Sequence, residues 1–337
     1  MNSFGRLFRV NIFGESHGES AGINIDGIPA GLPLKVEDFL ADIERRKGGT
    51  QKGTTPRQET DLPIFKSGLF NDMTTGAPVT ILFENNNTRS GDYQKQRAVP
   101  RPGHADFVAS KKFGGYEDYR GGGHFSGRLT VCLVAAGVIA KKMLAHALTD
   151  ASVEVKATIL EIGGETDLDK GLQKAIDAKD SIGGIVECRV TGLPIGLGEP
   201  FFDSVESLLA HAAFAIPAVR GVEFGTGFAA ARMFGVEHND AIEDASGKTR
   251  TNHAGGVVGG ISNGNELVFR VAIKPTSSTP KEQQTWNWES NLVETFSVKG
   301  RHDLCIALRV PVVLEAVTAM VLADLMMLEQ KIKRILK

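Results

Sequence analysis

Cysteine is scarce in this chain of 337 residues: there are three, Cys132, Cys188 and Cys305. An odd number so widely spaced supplies neither a disulfide framework nor a paired thiolate ligand set, so no metal site is expected and the expected setting is reducing and cytoplasmic. An excess of one charge is lacking too. Lys and Arg number 38 against 40 Asp and Glu, a formal net charge of −2, which leaves no global basic field to attract nucleic acid. Long hydrophobic runs are missing. The longest, Val131–Ala140, stops at Lys141 and Lys142, about half the length of a membrane span. The apolar C-terminal stretch is broken by Glu315 and Asp324, and Met1–Val10 carries Arg6 and Arg9 without the apolar centre of a signal peptide. A soluble chain with no nucleic-acid or membrane partner is expected, and any affinity for anions must come from local clusters of Lys and Arg.

Glycine, by contrast, is abundant, with 39 residues gathered in short knots such as Gly121–Gly123, Gly255–Gly256 and Gly259–Gly260. Such knots serve either as tight turns or as places where backbone N–H groups approach a ligand. Alternating or apolar segments predict strands over Leu7–Phe13, Gly22–Ile28, Val79–Phe83, Val153–Ile162, Ile185–Val190 and Leu267–Ile273. Helical patterning predicts Val36–Lys47, Thr130–Leu148, Ser204–Ala215 and Val313–Leu336, the last with a basic end suited to the helix dipole. Strands and helices mix without steady alternation, which predicts an α+β fold, and no linker divides residues 1–337 into more than one domain. Three long polar stretches, Phe83–Pro102, Glu237–Gly255 and Pro275–Glu294, read as loops.

Several knots carry chemistry-bearing residues. Gly14–Gly18 places His17 on a turn after a strand, and Arg101–Asp106 places His104 on another, two residues from Asp106. Arg45, Arg46 and Lys47 close the first helix and Lys52 follows, either as a solvated helix end or as a clamp for phosphate or carboxylate. Gly121–Arg128 leads into a buried helix. A cation there, Arg128, opposes the helix dipole unless an anion sits between them. Lys274–Ser278 and Gly300–Asp303 complete the set. Gly225–Ala230 fits a dinucleotide fingerprint by spacing, but no strand precedes the acids Glu243 and Asp244, so a Rossmann site is not expected.

Taken in order, Gly14–Gly18, Ile25–Pro29, Arg101–Asp106, Val219–Gly225, Asn252–Gly264, Lys274–Ser278 and Gly300–Asp303 resemble the chorismate synthase family from about Phe4 to the C-terminal helix. The resemblance implies a β-α-β sandwich with antiparallel sheets around central helices, assembled as a homotetramer. It implies an anti-1,4-elimination of phosphate from 5-enolpyruvylshikimate 3-phosphate, requiring reduced FMN with no net redox change. It leaves open whether the chain reduces its flavin with NADPH or takes it from a separate flavin reductase. By resemblance His17 protonates the leaving phosphate, His104 sets flavin protonation, and Asp303 helps the flavin accept the carbon 6 proton. Arg46, Lys52, Arg128 and Arg301 would bind substrate. His124, Phe125, Ser126, Pro217, Ala218, Gly259, Lys274, Pro275, Thr276, Ser277, Ser278 and Arg301 would line the flavin. The chain departs from the usual family pattern at His124 and Lys52, where Arg is common, at Leu129 in place of Glu, and at Leu304 in place of Pro. The altered Gly121–Thr130 loop motivates an alternative, a flavin- or anion-binding paralogue with weakened catalysis.

Overall fold

A computed structural model describes residues 1–49, 52–55, 59–87, 97–298 and 302–336. Two antiparallel sheets enclose a helical layer. The first runs in the order Ser3–Phe4, Arg9–Gly14, Ser20–Asp26, Val79–Glu84, Ile64–Ser67. Its register sets Ala21 opposite Phe83, Ile23 opposite Ile81 and Ile25 opposite Val79. All six side chains are fully buried. The period of two puts them on one face, which must therefore be covered. The second sheet runs in the order Val219–Phe224, Leu267–Ile273, Gly184–Thr191, Glu154–Ile162. Val186, Cys188 and Val190 stand opposite Val271, Phe269 and Leu267, again all buried.

Helix Thr130–Leu144 packs on the first sheet and helix Val310–Leu328 on the second, and the two pack on each other. Both are apolar around nearly their whole circumference, as a helix covered on all sides must be. Gly137 lets them approach: a Cβ there would lie 2.3 Å from Ala316 Cβ and 2.4 Å from its Cα. The segment Ile306–Leu328 is long and apolar enough to cross a membrane, but 83% of its 18-residue apolar window is buried inside the protein, which makes it a core helix. Helix Glu37–Arg46 flanks this pair, and helix Val205–Phe214 packs on Val310–Leu328 with its first turn capped by Ser204. The expected α+β sandwich with antiparallel sheets around central helices is the observed fold.

Several boundaries differ from the sequence expectation. The last helix stops at Leu328, not Leu336: Gln330 turns left-handed at φ 56°, and the Lys331 N–H bonds back to the Met326 carbonyl at 2.7 Å. The chain then pairs with Ala30, through Ala30 N–H to Arg334 O and Leu336 N–H to Ala30 O. The basic residues expected at a helix end therefore lie beyond it. Helix Thr130–Leu144 ends four residues early, and the Leu148 N–H is taken by the Lys331 carbonyl. Strand Val219–Phe224 was not anticipated, because Gly221 interrupts its alternation where the register shifts. Helices Asp106–Phe113 and Leu168–Ala178 and the hairpin Gln283–Asn287/Leu292–Phe296 also lie in segments with no expected element; all but the last two residues of the hairpin fall in a stretch read as loop.

Candidate active site

The strand-end turns, the Gly121–Leu129 loop, the end of helix Glu37–Arg46 and the start of helix Val310–Leu328 meet around a cavity of about 700 Å³. His17, His104 and Asp303 all line it. His17 is buried at 7% exposure on the turn after strand Arg9–Gly14, which is tied to the glycine triplet by Ser16 N–H to Gly123 O at 3.1 Å. Gly121 sits against the ring in a left-handed conformation at φ 60°. A Cβ on Gly121 would come within 2.3 Å of His17 Cδ2 and 2.5 Å of Nε2. The glycine here makes room for an imidazole.

His104 Nδ1 lies 2.6 Å from Asp106 Oδ1 and 3.0 Å from Arg101 Nη2. The shorter contact, to a carboxylate acceptor, suits the tautomer with its proton on Nδ1. Asp106 is itself gripped by Arg101 through Nε and Nη2, each at 2.7 Å. Burial alone would raise its pKa, but Arg101 and His104 hold it well below the usual carboxylate range. Arg101 also donates to Ser278 at 3.1 Å, which joins this cluster to the Lys274–Ser278 segment.

Across the cavity, Asp303 accepts the Thr55 N–H at 2.9 Å and a bond from Arg309 Nη1 at 3.0 Å. Arg46 and Arg128 line the same cavity and are both buried. The anion that Arg128 requires at the helix start is internal: Asp61, itself buried, pairs with Arg128 Nη1 and with Arg46 Nη1. Of the flavin-side expectations, His124, Phe125 and Ser126 line the cavity, as do Pro217 and Ala218. Both His124 ring nitrogens are engaged, Nδ1 at 2.8 Å from Gly14 O and Nε2 at 3.1 Å from Asn2 Oδ1. Lys274, Thr276, Ser277 and Ser278 complete that wall. Lys274 donates to Ser277 at 2.7 Å and has no carboxylate partner among the described residues; burial, then Arg220, pulls its ammonium below the ordinary value. The Thr276 hydroxyl is buried with no partner among the described residues.

Three expected residues lie outside the lining. Lys52 reaches Gln173 at 3.3 Å on the exposed surface. Pro275 is exposed, and Gly259 sits in the turn of the short hairpin Val257–Ser262. Arg301 falls outside the described residues. Sequence reasoning did not single out Asp61, Arg101, Asp106 or Arg309 as site residues. Arg101 and Asp106 stood inside a quoted motif, so their proximity to His104 was the available signal. Asp61 carried none, since its partners Arg46 and Arg128 are distant in the chain, whereas Arg309 stood six positions from Asp303 but outside every quoted motif. The three thiols are free and buried, and burial pushes those of Cys132 and Cys188 up to about 12, far from reactivity.

Fold and cavity together define an α+β protein whose interior site gathers buried guanidiniums, imidazoles and a carboxylate. Comparison with known proteins makes this specific. The family model described as chorismate synthase matches residues 8–327, and the chain belongs to that family. It is 74% identical to a chorismate synthase of Chitinophaga pinensis over the full length of both chains. It is 43% identical to one from Dehalococcoides mccartyi, covering 100% of this chain and 99% of the relative. A solved structure described as a crystal structure of chorismate synthase superposes with a TM-score of 0.71 at 25% identity, covering 97% of this chain and 93% of that one. Membership places the chain among the carbon–oxygen lyases of the shikimate pathway.

Proposed function

We propose that the chain, acting as a single domain, eliminates phosphate from 5-enolpyruvylshikimate 3-phosphate to give chorismate, with reduced FMN in the same cavity. The observation that carries this reading is the convergence of His17, His104 and Asp303 on one cavity of about 700 Å³ with a cationic wall. The residues present fit a flavin. Lys274, without a carboxylate partner among the described residues, the unpartnered Thr276 hydroxyl and Ser277 offer donors and charge for its polar edges, beside Pro217 and Ala218. Reduced FMN, when bound, supplies electron density as phosphate leaves and recovers it as hydrogen leaves carbon 6, with no net redox change.

The chain's own residues do the rest. His17, enclosed beneath Gly121, gives a proton to the departing phosphate oxygen. His104, oriented through Nδ1 by Asp106, presents Nε2 and holds a proton on the flavin side. Asp303, oriented by Thr55 and Arg309, is the carboxylate assigned to the carbon 6 proton. Arg46 and Arg128, themselves buried, neutralise the substrate's anionic groups, and charge–charge attraction is stronger at buried groups than in solution.

We further propose a cytoplasmic homotetramer; the assembly is supported by the exposed rings of Phe201, Phe202, Phe228 and Phe234, apolar side chains that other copies could bury. Flavin reduction by NADPH, on this chain or through a separate reductase, belongs to the same proposal. The test is anaerobic turnover of 5-enolpyruvylshikimate 3-phosphate with photoreduced FMN, followed by phosphate release and chorismate absorbance. His17→Ala should lower kcat by roughly 10²–10⁴-fold while the Kd for FMN stays within about twofold. No turnover by the wild-type chain despite tight flavin binding would favour the paralogue with weakened catalysis.

A further inference from the structure

The two arginines on the cavity wall share one counter-ion. Side-chain exposure is 3% for Arg46, 4% for Arg128 and 1% for Asp61. Arg46 Nη1 lies 3.0 Å from Asp61 Oδ2, and Arg128 Nη1 bonds the other oxygen, Oδ1. Arg46 also donates Nε to Thr130 Oγ1 and Nη2 to the carbonyls of Gly127 and Arg128. Arg128 also donates Nε to Asn85 Oδ1 and Nη2 to the Glu84 carbonyl. Four bonds from Arg46 and three from Arg128 occupy seven of the ten N–H groups that two guanidiniums possess. Among the described residues, the other three N–H groups have no acceptor.

We propose that Asp61 is the positioning residue of this cavity. Its carboxylate fixes both guanidiniums side by side, so that their remaining N–H groups meet a phosphate or carboxylate in a set geometry. This rests on the reading above that the cavity binds a phosphorylated, carboxylated substrate. Asp61 is itself held in a left-handed conformation at φ 52°, a region that Asp and Asn enter more readily than other residues with a Cβ. Arg309 adds a third cation nearby: its Nε donates to the Arg46 carbonyl at 2.8 Å, and it pairs with Asp303. Burial and then Arg309 pull the Arg46 guanidinium downward, with Arg128 acting in the same sense and Asp61 opposing them. The carboxylate thus has two separable effects. It removes one unit of positive charge from the wall, which weakens anion binding. It also stops two buried cations from swinging apart, which strengthens it. The hydrogen-bond count favours the second, since a bidentate clamp depends on donor geometry more than on net charge.

The sign of one measurement separates them. Inorganic phosphate is titrated calorimetrically into the full chain, wild type and Asp61→Asn, with thermal midpoints recorded. Asn keeps the shape and tolerates the backbone. The expected result is a Kd for phosphate raised roughly tenfold or more, in line with losing charge-assisted bonds. A Kd unchanged or lowered in D61N overturns the proposal, because charge relief alone would tighten binding. Asp61→Gly, compatible with the left-handed backbone, serves as the second variant. Formate, at constant ionic strength against chloride, should refill the carboxylate-sized gap and restore phosphate affinity, and failure to do so in a folded protein also overturns it. In parallel, D61N should raise the KM for 5-enolpyruvylshikimate 3-phosphate more than it lowers kcat. A wild-type chain that binds phosphate but does not turn over that substrate sinks the functional reading, and the phosphate series then still decides the role of Asp61.

Discussion

Replacing Gly121 by Ala tests the link between the glycine triplet and catalysis. The added Cβ would lie 2.3 Å from His17 Cδ2, 2.5 Å from Nε2 and 3.0 Å from Ser16 Oγ. No atom pair tolerates the first two distances, so something must move, and the crowded atoms are the far edge of one imidazole. The backbone adds its own cost, since φ is 60° and an L-residue in the left-handed region loses about 1–2 kcal/mol. Against a total stability of roughly 5–15 kcal/mol, that leaves nearly every molecule folded. Displacing a general acid is far more damaging to rate, about 10²–10⁴-fold, or roughly 3–5 kcal/mol of barrier. Gly121→Ala should therefore lower kcat by two orders of magnitude or more while urea unfolding shifts by only about 1–2 kcal/mol. Gly127→Ala in the same loop is the control: among the described residues, no atom beyond its chain neighbours lies within 4 Å of its Cβ, and near-wild-type turnover is expected. Turnover of Gly121→Ala within about threefold of wild type, or equal losses in both variants, would refute the reasoning.

Gly137→Ala drives a methyl group into Ala316 at the contact of the two core helices, and should cost about 1–3 kcal/mol in urea unfolding with little effect on the KM of the surviving folded enzyme. Glu315, buried in helix Val310–Leu328, accepts both terminal nitrogens of Arg45 at 2.8 and 2.7 Å, Lys141 at 2.9 Å and the Ala157 N–H at 3.0 Å. Burial would raise its pKa, but these partners hold it below the ordinary 4.5. Its contribution to stability is thus complete above about 4.5 and is lost as pH falls through the lower folded value. Glu315→Gln should flatten the acid limb of the stability profile and cost about 1.5–3 kcal/mol at neutral pH, measured by urea titration at stepped pH.

Periodicity alone predicted the strands around Ile23, Ile81, Val186 and Phe269 and the two apolar core helices, because side-chain alternation and all-round apolarity are local properties of the chain. His17 and His104 were legible as turn residues because glycine and proline mark turns wherever they occur. Their convergence on one cavity was not local, and the sequence conveyed it only through resemblance to a family. Tertiary structure alone decided that Asp61 would be the counter-ion of Arg46 and Arg128, that Asp106 would orient His104 while Arg101 held the carboxylate, and that the last residues would leave the helix to pair with Ala30. An ion pair between residues 67 positions apart leaves no mark on the spacing of either, since the low-dielectric burial that makes it strong exists only after the sheets have closed on the helices.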